Sequence, residues 1–180
     1  MPPINYTTLA GPSGQADNMG GTKQFFYMSP IEDFLTIETF DPAGTTLASQ
    51  AEIPGDHIFK TGKCFKKIYC TLDKGSLKSD KQGERDGRSF KDMAKFFYPG
   101  SDLEVAGFAN ICKNDRFMVL IPMPDGKVRQ IGSEDFYAEI SGGFDTGTNS
   151  GGIRGTEFEV SSMDSRMKIY TGVITLTPAP

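Results

Sequence analysis

The sequence predicts a mainly β protein with one flanking α-helix, arranged as a β-sandwich or barrel. Three observations carry that expectation. Glycine and proline are frequent, 21 and 11 of 180 residues, while 37% of residues are hydrophobic; that balance suits strands and tight turns better than a helical bundle. Short apolar or alternating runs recur between turn residues along most of the chain. One stretch alone, after Pro99-Gly100, combines a helix start, near-helical apolar spacing and a stop. At 180 residues one domain is expected, long enough to bury a core.

The elements follow in order. Residues 1–22 hold Gly11, Gly14, Gly20 and Gly21 with two early prolines, and read as a flexible arm that a neighbouring molecule orders. Residues 23–180 form the β-rich domain. Residues 24–28 are a first strand, and 29–33 a turn with Pro30 at the first position of one helical turn. Residues 34–40 alternate as a second strand. Residues 41–55 are a long polar loop, a length that in compact domains is either disordered or used for contacts. Strands follow at 57–61 and 63–72, then a turn at Asp73-Lys74-Gly75 and a polar return over 76–83, whose lysines discourage stray edge pairing. Residues 89–98 fit a helix through Phe90, Met93, Ala94 and Phe97, and a strand through Phe90 and Phe96; the strand is preferred.

The helix spans 101–113. Ser101 opens a capping box with Glu104, and Leu103, Ala106, Ala109 (or Asn110) and Ile111 form its apolar stripe. Asn114-Asp115 ends it. Phe117 to Ile121 is a wholly apolar strand, Pro124-Asp125-Gly126 turns, and 127–131 returns. A short strand at 136–140 leads into a loop over 142–155 with six glycines in fourteen residues. Residues 156–162 alternate as a half-exposed strand, and 168–176 close the chain.

Charge is unevenly placed. The net charge is −4, yet residues 60–95 hold eleven Lys/Arg against five Asp/Glu, leaving the remainder at −10. A solvated basic hairpin explains this; so does a positive face on one copy meeting a negative face on the next, which favours head-to-tail rings or tubes. Dedicated nucleic-acid binding fits poorly, because aromatics do not interleave with the basic residues and the pI is about 5.0. No apolar run approaches the roughly 18 residues of a membrane span, and the first residues carry no basic start or apolar stretch of a secretory signal. The three cysteines, an odd number, read as reduced thiols.

Each candidate site is weak. Asp145-Thr146-Gly147 matches the motif of aspartic proteases, where two carboxylates share a proton. One copy in this chain would need a dimer, and glycine on both sides argues against a rigid catalytic loop. Asp145, Thr148, Asn149 and Ser150 could offer oxygens to calcium, without EF-hand spacing. Lys60-Thr61-Gly62-Lys63 lacks the leading glycine of a phosphate loop and has Cys64 where Ser or Thr belongs. His57, the single histidine, reads as a polar strand-end residue. Cys64 and Cys70 share one strand's parity roughly 20 Å apart, too far to hold one ion, and Cys112 reads as core filler. No catalytic, cofactor or metal residues are therefore expected.

The order of features resembles the major tail tube proteins of tailed bacteriophages over residues 55–175. The features are Gly55-Asp56-His57-Ile58-Phe59, Gly83-Glu84-Arg85-Asp86-Gly87, Phe97-Tyr98-Pro99-Gly100, Arg129-Gln130-Ile131-Gly132, Asp145-Thr146-Gly147-Thr148, Arg154-Gly155-Thr156 and Ile169-Tyr170-Thr171-Gly172. The resemblance implies a sandwich or barrel flanked by one helix, six copies in a ring, and rings stacked into a tube through which DNA passes without specific binding. Type VI secretion tubes look similar in architecture. The arm and the 41–55 loop would reach between rings. The expectation is therefore a virion structural protein, assembled in the host cytoplasm, contacting its own copies and other tail proteins and not inserted in a membrane. Alternatives are a capsid decoration or tail-terminator protein, a dimeric aspartic protease using Asp145, and a carbohydrate-binding sandwich, which the absence of tryptophan disfavours.

Overall fold

A strand that is apolar at every position has no side to offer water, so it belongs between two layers. In the computed structural model, which describes residues 3–14 and 18–178, Phe117–Pro122 is that strand and every residue in it is buried. Phe117, Val119 and Ile121 point into one core, Met118 and Leu120 into another.

In chain order the strands are β1 (Phe25–Pro30), β2 (Phe34–Thr36), β3 (Glu52–Ile53), β4 (Ile58–Phe59), β5 (Lys66–Tyr69), β6 (Ser76–Gln82) and β7 (Ser89–Pro99). The helix α1 (Leu103–Cys112) follows, then β8 (Phe117–Pro122), β9 (Val128–Ile131), β10 (Glu139–Asp145), β11 (Gly155–Asp164) and β12 (Lys168–Tyr170). They form a six-stranded sheet ordered β3-β12-β9-β8-β1-β5, a four-stranded sheet ordered β10-β11-β7-β6, and the pair β2-β4. Among the described residues none of the sheets closes on itself. The mainly β architecture with one α-helix among the described residues matches the sequence expectation.

The two larger sheets share the first core. Phe26 of β1 stacks on Phe96 of β7 with ring centroids 4.1 Å apart, and Phe158 of β11 meets Phe108 of α1 at 5.3 Å. Each such ring removes enough apolar surface to contribute about 1.5–3 kcal/mol. The second core lies on the other face of the six-stranded sheet, where Phe34, Phe59 and Phe65 pack against Met118, Leu120 and Tyr170.

Cross-strand register shows how the inner face of the four-stranded sheet is built. Phe158 sits opposite Phe96, and the next row reads Ile140, Val160, Ala94, Leu77. Two residues further along, the row becomes Ser162, Asp92, Ser79, and beyond it lies Asp164. One half of this face is hydrocarbon and the other is polar. Gly142 lets α1 approach β10: a Cβ there would lie 2.8 Å from the Phe158 ring and 3.0 Å from Ala109 Cβ.

Several expected boundaries move. The helix begins at Leu103 with Asp102 at its cap and no side-chain capping bond, so Ser101 is not the cap residue. Its apolar stripe is also different. Val105, Phe108, Ala109 and Cys112 pack on the core, while Leu103 and Ile111 are 91% and 66% exposed. Spacing alone could not say which side of a nearly uncharged helix would be covered. The strand expected over 34–40 stops at Thr36, and those over 57–61 and 63–72 shrink to β4 and β5. The short helical turn falls at Ile31–Asp33, with Pro30 still in β1.

The loop over 41–55 is partly structured. It contains a 3-10 turn at Ala48–Gln50 and β3, which pairs in parallel with β12. The glycine-rich segment over 142–155 is a loop only in its middle, because Gly142, Gly143 and Phe144 complete β10 against β11. Glycine weakens a strand but does not prevent it when the partner strand is ten residues long. The last strand ends at Tyr170, not at residue 176. Within the expected arm, Asn5 bridges Thr46, and directly after the arm the Lys23 N–H donates to the Pro122 carbonyl at 3.0 Å.

Candidate functional site

The sequence candidates come apart in space. Asp145 ends β10 on the exposed edge of the four-stranded sheet, and its Oδ1 accepts the Gly147 N–H at 2.8 Å, an Asx turn that employs the carboxylate locally. A wide cavity of about 560 Å³ beside it also reaches Asp73, Lys95 and Glu157. Thr148 turns the same loop through its carbonyl, which accepts from Gly152 at 3.0 Å. Among the described residues no group of three or more His, Cys, Asp or Glu side chains converges as metal ligands.

Lys60-Thr61-Gly62-Lys63 is a turn whose lysines are engaged: Lys60 Nζ donates to the Glu32 carbonyl at 2.7 Å, and Lys63 pairs with Asp33 at 2.9 Å. Cys64, Cys70 and Cys112 are free thiols, all buried. Burial pushes the Cys70 and Cys112 thiols up from their ordinary values, which suppresses the thiolate.

His57 directly precedes β4, at the expected strand end, but it is buried. It is 3% exposed and stacks on Tyr170 at 4.5 Å, with the rings 7° from parallel. Its Nδ1 accepts the Glu38 N–H at 3.1 Å, which leaves the proton on Nε2 to be donated to Gln130 Oε1 at 3.0 Å. Burial lowers its pKa, against the opposing pull of Gln130, Glu38 and Asp56. The imidazole is neutral and fully partnered, a structural post between β12 and the loop before β4.

The polar half of the inter-sheet core is the feature that sequence reasoning missed. Lys168 on β12 forms a buried ion pair with Asp164 on β11, and Ser133 Oγ donates to the same carboxylate at 3.0 Å. Burial alone would push the Asp164 pKa up, but the Lys168 hydrogen bond and charge, with Ser133 and the Ser165 N–H, together hold it below the usual carboxylate range. Nearby, Arg129 Nη2 donates to Ser79 Oγ at 3.0 Å, and Ser79 in turn donates to Asp92 Oδ1. Asp92 is 1% exposed, and its Oδ2 has no partner among the described residues. The available signal was parity: Asp92, Ser162 and Asp164 share the inward face of their strands with Ala94, Phe96, Phe158 and Val160.

What remains as a functional surface is the pair of open edges of the four-stranded sheet. Among the described residues β10 and β6 each have one side without a partner strand. β10 and β11 carry five carboxylates and no Lys or Arg, whereas β6, β7 and their turn carry six Lys/Arg and four carboxylates. Across the sheet the charge therefore runs from acidic to basic. Lys95 of β7 sits at the seam, 3.3 Å from Glu159 and 3.4 Å from Glu157. β10 lacks the usual edge protection: it has no lysine or proline, and its Phe144 is 54% exposed.

No family model matches the chain, and neither curated proteins nor solved structures yield a significant similarity.

Proposed function

We propose that this chain is a structural subunit that assembles with copies of itself, a virion protein of tail-tube type whose rings stack into a conduit for DNA. The carrying observation is the four-stranded sheet, open at both edges and acidic at one, basic at the other. Its strands alternate in direction, so β10 and β6 run opposite ways. Rotation about an axis along the strands then sets β6 of one copy antiparallel to β10 of the next. Such a contact is head-to-tail, and it closes into a ring when the rotation divides a full turn. Opposite charge on the two edges guides the register and penalises edge-to-like-edge pairing. Six copies per ring, and a tube formed from stacked rings, rest on the resemblance to tail tube proteins.

Two further features support this reading. The 41–55 loop and the segment around Asn5 sit beside β3, at the far edge of the six-stranded sheet, where they are free to contact another ring. The acidic balance outside residues 60–95 also suits a passage for DNA, because a basic lumen would hold phosphates by counterion release.

The test is imaging and sedimentation of the purified protein across salt and protein concentration. Rings or tubes are expected, and elongation separates a tube protein from a terminator. Lys78→Glu with Lys81→Glu, two exposed changes on β6, is expected to raise the concentration needed for assembly by about tenfold or more, roughly 1.4 kcal/mol per subunit contact. A wild-type protein that stays monomeric under all these conditions would sink the reading.

A further inference from the structure

The helix α1 is apolar on two sides. No charged residue lies between Val105 and Cys112, and one face is covered by the inter-sheet core. The opposite face presents Leu103, Gly107 and Ile111 at successive turns, with Leu103 and Ile111 largely exposed and open space beyond Gly107. Exposed Glu104 and Asn110 flank this strip, so it is a narrow apolar surface with polar margins, the form of a contact patch. That face lies on the β10 flank, since α1 packs on β10 through Ala109 and Gly142.

The β6 flank offers the complement. Between β6 and β9 an open cavity of about 330 Å³ is lined by Leu77, Met123 and Met167, with Arg129 and Ser79 at its polar side. Methionine side chains adapt to an incoming surface. Leu77 and Ser79 are inward-parity residues of β6, as Gly142 is of β10. Helix and cavity therefore lie on the same, core-facing side of the four-stranded sheet, at its two opposite edges.

We infer that the outward face of α1 docks into the β6–β9 cavity of a second copy of this chain. The inference rests on the self-assembly reading. Continuing the sheet from β10 of one copy to β6 of the next carries the helix of the first against the cavity of the second. Gly107, lacking a side chain, lets the helix backbone come close where Leu103 and Ile111 insert on either side. The sheet ladder fixes register, and the helix supplies the apolar burial that a bare edge cannot.

The experiment pairs two single variants, Ile111→Cys and Met167→Cys, mixed before assembly and oxidised. A disulfide-linked dimer is expected from the mixture, while Ile111→Cys mixed with Leu35→Cys, exposed outside the α1 and β6–β9 surfaces, gives none. In parallel, Gly107→Glu is expected to raise the assembly concentration at least tenfold without changing the circular dichroism of the monomer. Wild-type assembly without the Ile111–Met167 cross-link overturns this docking and leaves self-assembly standing. A wild type that never assembles overturns both.

Discussion

The inner face of the four-stranded sheet has two halves that solve burial differently. In the half under α1, Phe158, Phe96, Val160 and Ala94 meet other hydrocarbon and need only shape to fit. In the other half, Asp92 and Asp164 are just as hidden but need partners, which half-buried Ser79 and Lys168 of the six-stranded sheet supply. The first half is tolerant: a change of volume there has a graded cost. The second is all-or-none, because removing one member leaves another charge buried without compensation. The halves follow one another along the strands: the apolar row runs from Ile140 of β10 to Leu77 of β6, and the polar row two residues on runs from Ser162 of β11 to Ser79 of β6, where Arg129 meets it. The comparison teaches that one end of the sheet is held by shape alone and the other by polar groups that must find partners.

The largest expected effect attacks the polar half. Lys168→Met leaves Asp164 buried without its cation and should lower unfolding free energy by about 3–5 kcal/mol. Adding Asp164→Leu to it should recover most of that loss. Urea unfolding of the single and double variants measures both. A single variant as stable as the parent would show that the ion pair matters little.

Acid sharpens the same contrast. The folded Asp164 pKa lies below its unfolded value, so its contribution is complete above about pH 4 and fades as pH falls through the folded value. His57 also has a folded pKa below its unfolded value. For a base held neutral, the unfolded chain takes up the proton first, so stability declines as pH drops below roughly 6.5. Thermal unfolding from pH 8 to pH 3 should therefore show a shallow decline beginning near neutrality and a second near pH 4. Asp164→Asn should lose the lower step only.

The smallest effect comes from the apolar half. Gly107 lies in the helix interior with open space around it, so Gly107→Ala should stabilise the monomer by up to about 1 kcal/mol through helix propensity. A rise in thermal midpoint of a few degrees checks it. The added methyl also probes the docking of α1 from the other side, since a gain in monomer stability with weaker assembly separates the two roles of this position.

Much of the architecture was legible because local pattern and tertiary need agree. The fully apolar run from Phe117 to Ile121 demanded a place between two layers and has it. Turns at Asp73-Lys74-Gly75 and Pro124-Asp125-Gly126 follow from residues that favour them, and Gly126 has the positive φ of 85° that its turn requires. The strand preferred over residues 89–98 is β7, whose two neighbours on the same sheet supply hydrogen bonds that a helix would have made internally.

The candidate surface was less legible, and α1 shows why. Its sequence carries apolar residues on two sides, with Glu104 and Asn110 among them, and so does not say which face is buried. Only the packing of Phe108 and Ala109 on β10 and β11 decided that Leu103 and Ile111 are the ones left outside. His57 likewise could be read only as a polar residue near a strand, because its partners Glu38, Gln130 and Tyr170 are 19, 73 and 113 residues away. Composition, turn chemistry and hydrophobic alternation act within a few residues, and they determined a chain of many strands and one helix. Which faces meet, which edges stay open and which buried charges find partners depend on contacts between distant segments, and those the tertiary structure alone decided.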